Sequence, residues 1–454
     1  MIHESVKSLE SARSVDDLVY TAVFSKDAET KAEARKQIHL RARRSGAVPS
    51  SIYPLYMAMG RGEVDRKFTV PAFNIRALTY DAARALFRAA MRNNVGPFIF
   101  EIARSEIGYT EQRPAEYAAC VLAAAMAEGY QGPVFIQGDH FQASAKKWAS
   151  EEGKASEVKA LESLIDEAIA AEFYNIDIDT STLVDLSHET RDEQQRNNYE
   201  YTAHLTKYIR AREPQGITIA IGGEIGEVGK YNTQPDEVRA YMEGLRRLLG
   251  GDVGIDKISI QTGTSHGGVP LADGTIAEAK IDFDVLREVT EICRNEYGIA
   301  GSVQHGASTL PEEVFNRFPE SNAVEIHLAT GFQNMVLDAQ TLPSSMRDEI
   351  RQFCFDNCAD ERKSGETDEQ FVYKTRKKAI GPFKQRMWEL PPEAKQPIID
   401  ALEAKFEFLM SKLGVFNTKD IVERYIQTDV SLPEYAAASE ELTAAATVDP
   451  NEGE

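Results

Sequence analysis

The chain has 454 residues, 42% hydrophobic and 27% charged, with a formal net charge of −21 and an isoelectric point near 5.0. Such acidity argues against a nucleic-acid or anionic-membrane partner, either of which calls for a basic patch. Four cysteines (Cys120, Cys293, Cys354 and Cys358) are too sparse for a disulfide framework and read as thiols kept reduced in a cytoplasm. The opening MIHESVKSLESARSVDDL has no signal-peptide apolar core, and no apolar run approaches the ~18 residues of a membrane span.

Residues 1–66 read as a charged helical extension that ends in the turn-rich GRGEVDRK. From 67 to 335 short apolar strands alternate with amphipathic helices. Residues 336–440 are mostly helical, with breaks at LPSS, KSGET and LPPEAK, and the acidic tail 441–454 is expected to be disordered. The middle zone holds eight candidate strands: FTVPAFNI (68–75), PFIFEIA (97–103), PVFIQGDH (133–140), FYNIDIDTS (173–181), ITIAIGGEIG (217–226), KISIQTG (257–263), GSVQHG (301–306) and AVEIHLATG (323–331). Between them lie helical patterns such as YDAARALFRAAMRNN and EVKALESLIDEAIAA. Strands alternating with helices imply a parallel sheet, and eight such units predict a closed (β/α)8 barrel with N- and C-terminal helical extensions.

In such a barrel the chemistry sits where the strands end. Asn74, Asp139, His140, Asp179, Glu224, His266, His305 and His327 all fall at or just beyond candidate strand ends. Four of the eight histidines are in this set. One histidine there is ordinarily a satisfied polar residue, but several converging on one mouth suit a catalytic metal, which needs about three protein ligands and an open position. Asp139 precedes His140 and could act as a base beside a metal-bound carbonyl, or simply cap a helix begun by FQASAKKW. Small residues follow the histidines: Gly267 and Gly268, Gly306-Ala307-Ser308, and Ala329-Thr330-Gly331. They would let backbone amides approach a phosphate.

Taken together, these residues resemble the class II, zinc-dependent fructose-bisphosphate and tagatose-bisphosphate aldolases, over about Val70 to Thr330. VPAFNI (70–75) is similar to that family's first strand, the Asp139-His140 pair to its catalytic aspartate and first zinc histidine, and GEIGEVG (223–229) to the segment of its alternate metal-ligand glutamate. TSHGG (264–268) and HGAS (305–308) resemble the segments of its second and third histidines, and NIDIDTS its Ile-Asp-x-Ser strand. The resemblance implies zinc on His140, His266 and His305, with Glu224 and Asp179 as further metal-site acids and Asp139 as base. It also implies a monovalent cation as a further ion. Asn74, Ser105, Gly267, Gly306, Ser308, His327, Ala329 and Thr330 would contact the substrate or its phosphate. The expected reaction is reversible cleavage of a phosphorylated ketose, fructose-1,6-bisphosphate-like, into dihydroxyacetone phosphate and an aldehyde such as glyceraldehyde 3-phosphate, in a cytoplasmic homo-oligomer.

Three departures stand out. His327 takes the place of the family's substrate-contacting Asn, although a strand residue could equally face the helix layer. The loop after the glutamate strand reads GKYNTQPDE, so Glu227, Asp236, Glu237 or Tyr231 would have to replace the family's loop acid. The second strand's EIARSEIGYT only loosely matches a phosphate loop, with Arg104 and Ser105 as candidates. No lysine ends a barrel strand, Lys257 beginning one, so a Schiff-base route is disfavoured. The basic run at Arg376, Lys377 and Lys378 is either a solvated helix face or a ligand for the far phosphate. Another metal-dependent sugar-phosphate barrel enzyme, and an aldolase-like subunit without catalysis, are the alternatives.

Overall fold

The computed structural model describes residues 14–226, 231–263, 281–307 and 310–428. Its nine strands are β1 (Ala47–Pro49), β2 (Val70–Asn74), β3 (Ile99–Ala103), β4 (Gly132–Gln142), β5 (Asn175–Asp179), β6 (Ala220–Gly226), β7 (Lys257–Ile260), β8 (Ser302–Gln304) and β9 (Glu325–Leu328). Strands β2 to β9 pair in parallel with their chain neighbours, and β2 also pairs with β9, which closes an eight-stranded barrel. All eight expected strands are present, most of them trimmed at their ends and β4 extended to Gly132–Gln142, and the α/β-barrel expectation holds. Strand β1 pairs with the start of β4, Ala47 opposite Gly132, and so joins the N-terminal helices to the barrel.

The strands read polar on alternate residues because the two faces differ. Phe100, Ile102, Ile136, Ile176, Ile178, Ile258, Ile326 and Leu328 are all buried and belong to the main core. Their neighbours Glu101, Gln137, Asp177, Lys257 and Glu325 touch one another across strands β3, β4, β5, β7 and β9, which places them inside the barrel. Barrel interiors are ordinarily filled by branched apolar side chains. Here a charged layer takes that place.

Helices cover the outside. Thr79–Arg92 packs Ala82, Ala85, Leu86 and Ala89 inward, and Pro235–Leu249 does so with Val238, Tyr241 and Leu245. The terminal helices share this core through Leu18, Ile38, Leu402 and Phe406. The C-terminal helices Ser344–Asn357, Asp368–Thr375 and Pro392–Lys412 are separated near the expected breaks. Cys354 and Cys358 are buried against Phe371, and the four cysteines are free. Among the described residues no helix is long and apolar enough to cross a membrane.

Candidate metal centre at the barrel mouth

Asp139 and His140 are adjacent, so a regular strand would send one of them outward. A bulge prevents this. Between Gly138 and Phe141, β4 carries one residue more than the facing stretch of β5, Ile176 to Ile178. His140 takes up the extra residue at φ +40°, a left-handed conformation uncommon outside glycine. Gly138 makes the bend fit, because a Cβ there would lie 2.4 Å from the Phe141 ring. Phe141 is fully buried, while Gln142 reaches Asp179 Oδ2 at 2.5 Å. The strand continues to Gln142, so Asp139 does not cap a helix.

The result is a cluster of three histidines. His140 Nε2 lies 2.8 Å from His305 Nδ1, and the His305 ring centroid lies 4.0 Å from that of His327. His305 Nε2 is 2.8 Å from Ser259 Oγ, and His140 Nδ1 is 3.1 Å from Asp179 Oδ2 and 3.0 Å from Glu224 Oε2. Protons on those two outer nitrogens satisfy the hydroxyl and the carboxylates. With those protons outward, the inner nitrogens can offer lone pairs to a metal ion, the arrangement that outer-shell partners impose on metal-binding histidines. Asp139 Oδ1 is 3.8 Å from His140 Nε2. Asp139, His140 and His305 could hold a metal on this side, and His140, Asp179 and Glu224 on the other. Two imidazole nitrogens flanked by carboxylates fit a zinc-type ion by donor chemistry.

The electrostatics follow from burial. Burial lowers the His140 pKa, but the charges of Glu224 and Asp139 and the Asp179 hydrogen bond outweigh it and carry the group well above its ordinary value. Burial and the Asp179 charge push Glu224 up to about 7. Asp179 is lowered: burial opposes this, and the His140 hydrogen bond overcomes it. His327 points into the barrel, not toward the helices. Its Nδ1 faces Glu101 Oε2 at 2.9 Å and Asp139 Oδ1 at 3.1 Å, and its Nε2 faces Glu325 Oε1 at 2.7 Å. Beneath it Lys257 Nζ contacts Glu325, Gln137 Oε1 at 2.7 Å and Asp177 at 3.0–3.1 Å. Gly222 leaves room for the lysine stem, since a Cβ there would come within 2.9 Å of Lys257 Cε. Held by two acids, Lys257 remains an ammonium and is unsuited to Schiff-base chemistry.

On the β2 side, Asn74 Nδ2 donates to Glu106 Oε2 at 2.7 Å, and Asn74 Oδ1 accepts from Arg76 Nε at 3.3 Å. Arg76 is buried, pairs with Glu106 at 2.6 Å, and donates to Gln333 Oε1 at 3.0 Å. Ser105 is buried in the turn of helix after β3. Arg104 is buried, paired with Glu157 and donating to the Gln142 carbonyl. Gly306 follows His305 at φ +68°, a turn that favours glycine. Ala329 and Thr330 open the helix Thr330–Leu337.

The C-terminal basic run is divided. Arg376 pairs with Asp338 and Lys378 with Glu361, whereas Lys377 packs by the Tyr109 ring at 5.6 Å. Burial and the neighbouring Arg76 charge push the Lys377 ammonium down to about 7. Asp236 and Glu237 open a helix and are both bound by Arg191, and Tyr231 is bound to Glu237. His266, Gly267, Gly268, Glu227 and Ser308 lie outside the described residues.

The fold and this cluster define an α/β barrel whose C-terminal mouth gathers histidines and acids that could hold a metal. A family model for class II fructose-bisphosphate aldolase matches residues 61–412, and the chain belongs to that family. No curated protein matches it by sequence. Among solved structures it is similar to the fructuronate-tagaturonate epimerase UxaE of Cohnella laeviribosi, with 12% identity, a TM-score of 0.60, and coverage of 87% of this chain and 90% of that one. It is also similar to a protein described as a tagatose 6-phosphate kinase from Sinorhizobium meliloti (14% identity, TM-score 0.51, 79% and 98% covered). A fructose-bisphosphate aldolase from Campylobacter jejuni matches at 18% identity and TM-score 0.44, with 81% and 94% covered.

Proposed function

We propose that the chain is a zinc-dependent aldolase that reversibly cleaves a phosphorylated ketose into dihydroxyacetone phosphate and an aldehyde such as glyceraldehyde 3-phosphate. The observation that carries this reading is the convergence of His140 Nε2 and His305 Nδ1 at 2.8 Å with Asp139 beside them at the mouth. His140 and His305 would hold the ion, joined by His266 as the family resemblance implies, and Asp179 and Glu224 would orient His140. When bound, the ion supplies a Lewis acid for the ketose carbonyl. Asp139 accepts the proton of the hydroxyl on the carbon that becomes the aldehyde, and returns it in the synthetic direction. Arg76 holds Asn74 in position toward the substrate, and Arg76 with Lys377 supplies positive charge for a phosphate in an otherwise acidic chain. Gly306 and the amides after Ala329 and Thr330 would take the other phosphate. Burial of Asp139, His305 and His327 keeps water from the carbanion.

The test is to strip and reload the protein with zinc and supply ketose mono- and bisphosphates, detecting triose phosphate with a coupled assay. Absence of triose phosphate from every ketose phosphate, with metal bound, rejects the proposal. The contact of His327 with Asp139 favours a second reading. A second proton-carrying group beside Asp139 suits epimerisation of a ketose acid, in which a proton is taken from one face and returned to the other, the activity named for the Cohnella protein. Substrate inversion without triose phosphate, followed by NMR on ketouronates, would select it.

A further inference from the structure

We propose that Glu101, Asp139 and His327 form a second divalent-cation site, adjoining the His140–His305 centre and sharing Asp139 with it. The three residues each aim one donor atom into the same space, all within 4.8 Å of one another. Glu101 Oε2 is 2.9 Å and Asp139 Oδ1 3.1 Å from His327 Nδ1. A ring nitrogen carries at most one proton, so the two carboxylates, from different strands, would have to share it.

The other side of the imidazole indicates where the proton lies. His327 Nε2 sits 2.7 Å from Glu325 Oε1, and Lys257 holds that carboxylate in turn. A proton on Nε2 donated to Glu325 leaves Nδ1 as a lone pair directed at Glu101 and Asp139. The carboxylate–histidine–metal arrangement has the same form. Lys257 thus neutralises the acids on one side of His327, Asp177 and Glu325. On the opposite side Glu101 is fully buried, its described partners are Gln137 and His327, and its Oε1 has no hydrogen-bond partner. A buried carboxylate without a cation is costly, and a metal ion between these three donors removes the cost.

The donor set states the class of ion. One imidazole nitrogen with two carboxylates suits zinc, manganese, cobalt or ferrous iron over sodium or potassium. Asp139 Oδ1 lies toward both centres, 3.8 Å from His140 Nε2 and 3.1 Å from His327 Nδ1, as a bridging carboxylate does in paired-ion sites. The site is compatible with the proposed aldol role of Asp139, because a metal-bound carboxylate retains a basic oxygen, and it does not depend on that role.

The experiment counts metal. The full chain is stripped with chelator, titrated with Zn2+ or Mn2+, desalted and analysed by elemental mass spectrometry, with zinc-edge anomalous diffraction on crystals of the loaded protein. About two equivalents are expected for the unsubstituted chain, as in paired-ion sites. Glu101→Gln should bind about one, as should His305→Ala, through loss of different ions. The anomalous map should show a peak between Glu101 and His327, a readout that holds even if Glu101→Gln fails to fold. One equivalent in both the unsubstituted chain and Glu101→Gln, with no such peak, overturns the proposal and leaves a shared proton holding the three residues. Two equivalents retained in Glu101→Gln overturn the assignment to these residues. Loss of aldol activity with both ions bound would instead reject the functional reading and leave this site standing.

Discussion

Replacing Lys257 by Met keeps the stem and removes the ammonium from the floor of the barrel. Glu325 and Asp177 then face each other in a layer where Glu325 and Lys257 are at most 1% exposed. Burial raises the Glu325 pKa, but Lys257 and His327 overcome this and hold it at about 2 in the folded protein. With a depressed folded value, Glu325 contributes stability that is present above its unfolded pKa of about 4.3 and lost as pH falls through about 2. Between pH 5 and 8 its contribution is therefore flat. Without Lys257, a buried carboxylate must take up a proton to stay folded. At pH 7 that costs about 3.7 kcal/mol, from about 1.36 kcal/mol for each of about 2.7 pH units, within the ~3–5 kcal/mol typical of a broken buried pair. At pH 5 the same step costs about 1 kcal/mol. Urea unfolding of the Lys257→Met variant and the unsubstituted chain across this range should show a stability gap that grows by about 1.4 kcal/mol per pH unit. A gap below about 1 kcal/mol at pH 7, or one that does not change with pH, refutes the reasoning.

Asp139→Asn should keep the ion at His140 and His305, weaken the ion shared with Glu101 and His327, and lose turnover by about 10²–10⁴-fold, the usual contribution of a general base; loss of the His140–His305 ion as well would make Asp139 an essential ligand there rather than a base. His305→Ala should release metal on desalting, while His188→Ala and His204→Ala, both about half exposed on the outer surface, should not. Because burial and Arg76 lower Lys377 to about 7, its charge is lost as pH rises through that value, so kcat/KM for an anionic substrate should fall above about pH 7. Lys377→Met should remove that pH step mainly through KM, and an unchanged profile would show that Lys377 does not face substrate. Gly138→Ala places a methyl 2.4 Å from the Phe141 ring and should displace the His140 bulge, weakening metal affinity by about 10–100-fold. Equal affinity in that variant would show that the bulge does not position His140.

The barrel was legible because its strands carry buried apolar residues on their outer face between sequence breaks that end each helix. The histidines were legible for a related reason: polar side chains at the C-terminal ends of parallel strands have little else to do than line the mouth. The joint orientation of Asp139 and His140 was not legible from alternation, which sets neighbours on opposite faces; its sequence signal is Gly138 ahead of the aromatic Phe141, readable only once the bulge is known. His327 could be read as facing either way until the ring contacts with His305 were in view. Glu101, Asp177, Lys257 and Glu325 carried a signal that apolar periodicity overlooks, namely charged residues among the apolar ones of the strands FIFEIA, NIDID, KISI and VEIHL. A charge at the centre of a buried strand must meet its opposite or a cation from another strand. Lys257 meets Asp177 and Glu325 in this way, whereas the contacts of Glu101 bring no lysine or arginine among the described residues. This asymmetry runs through His327, and so the residue that departs from the family pattern also links the floor of the barrel to the group proposed to move the proton.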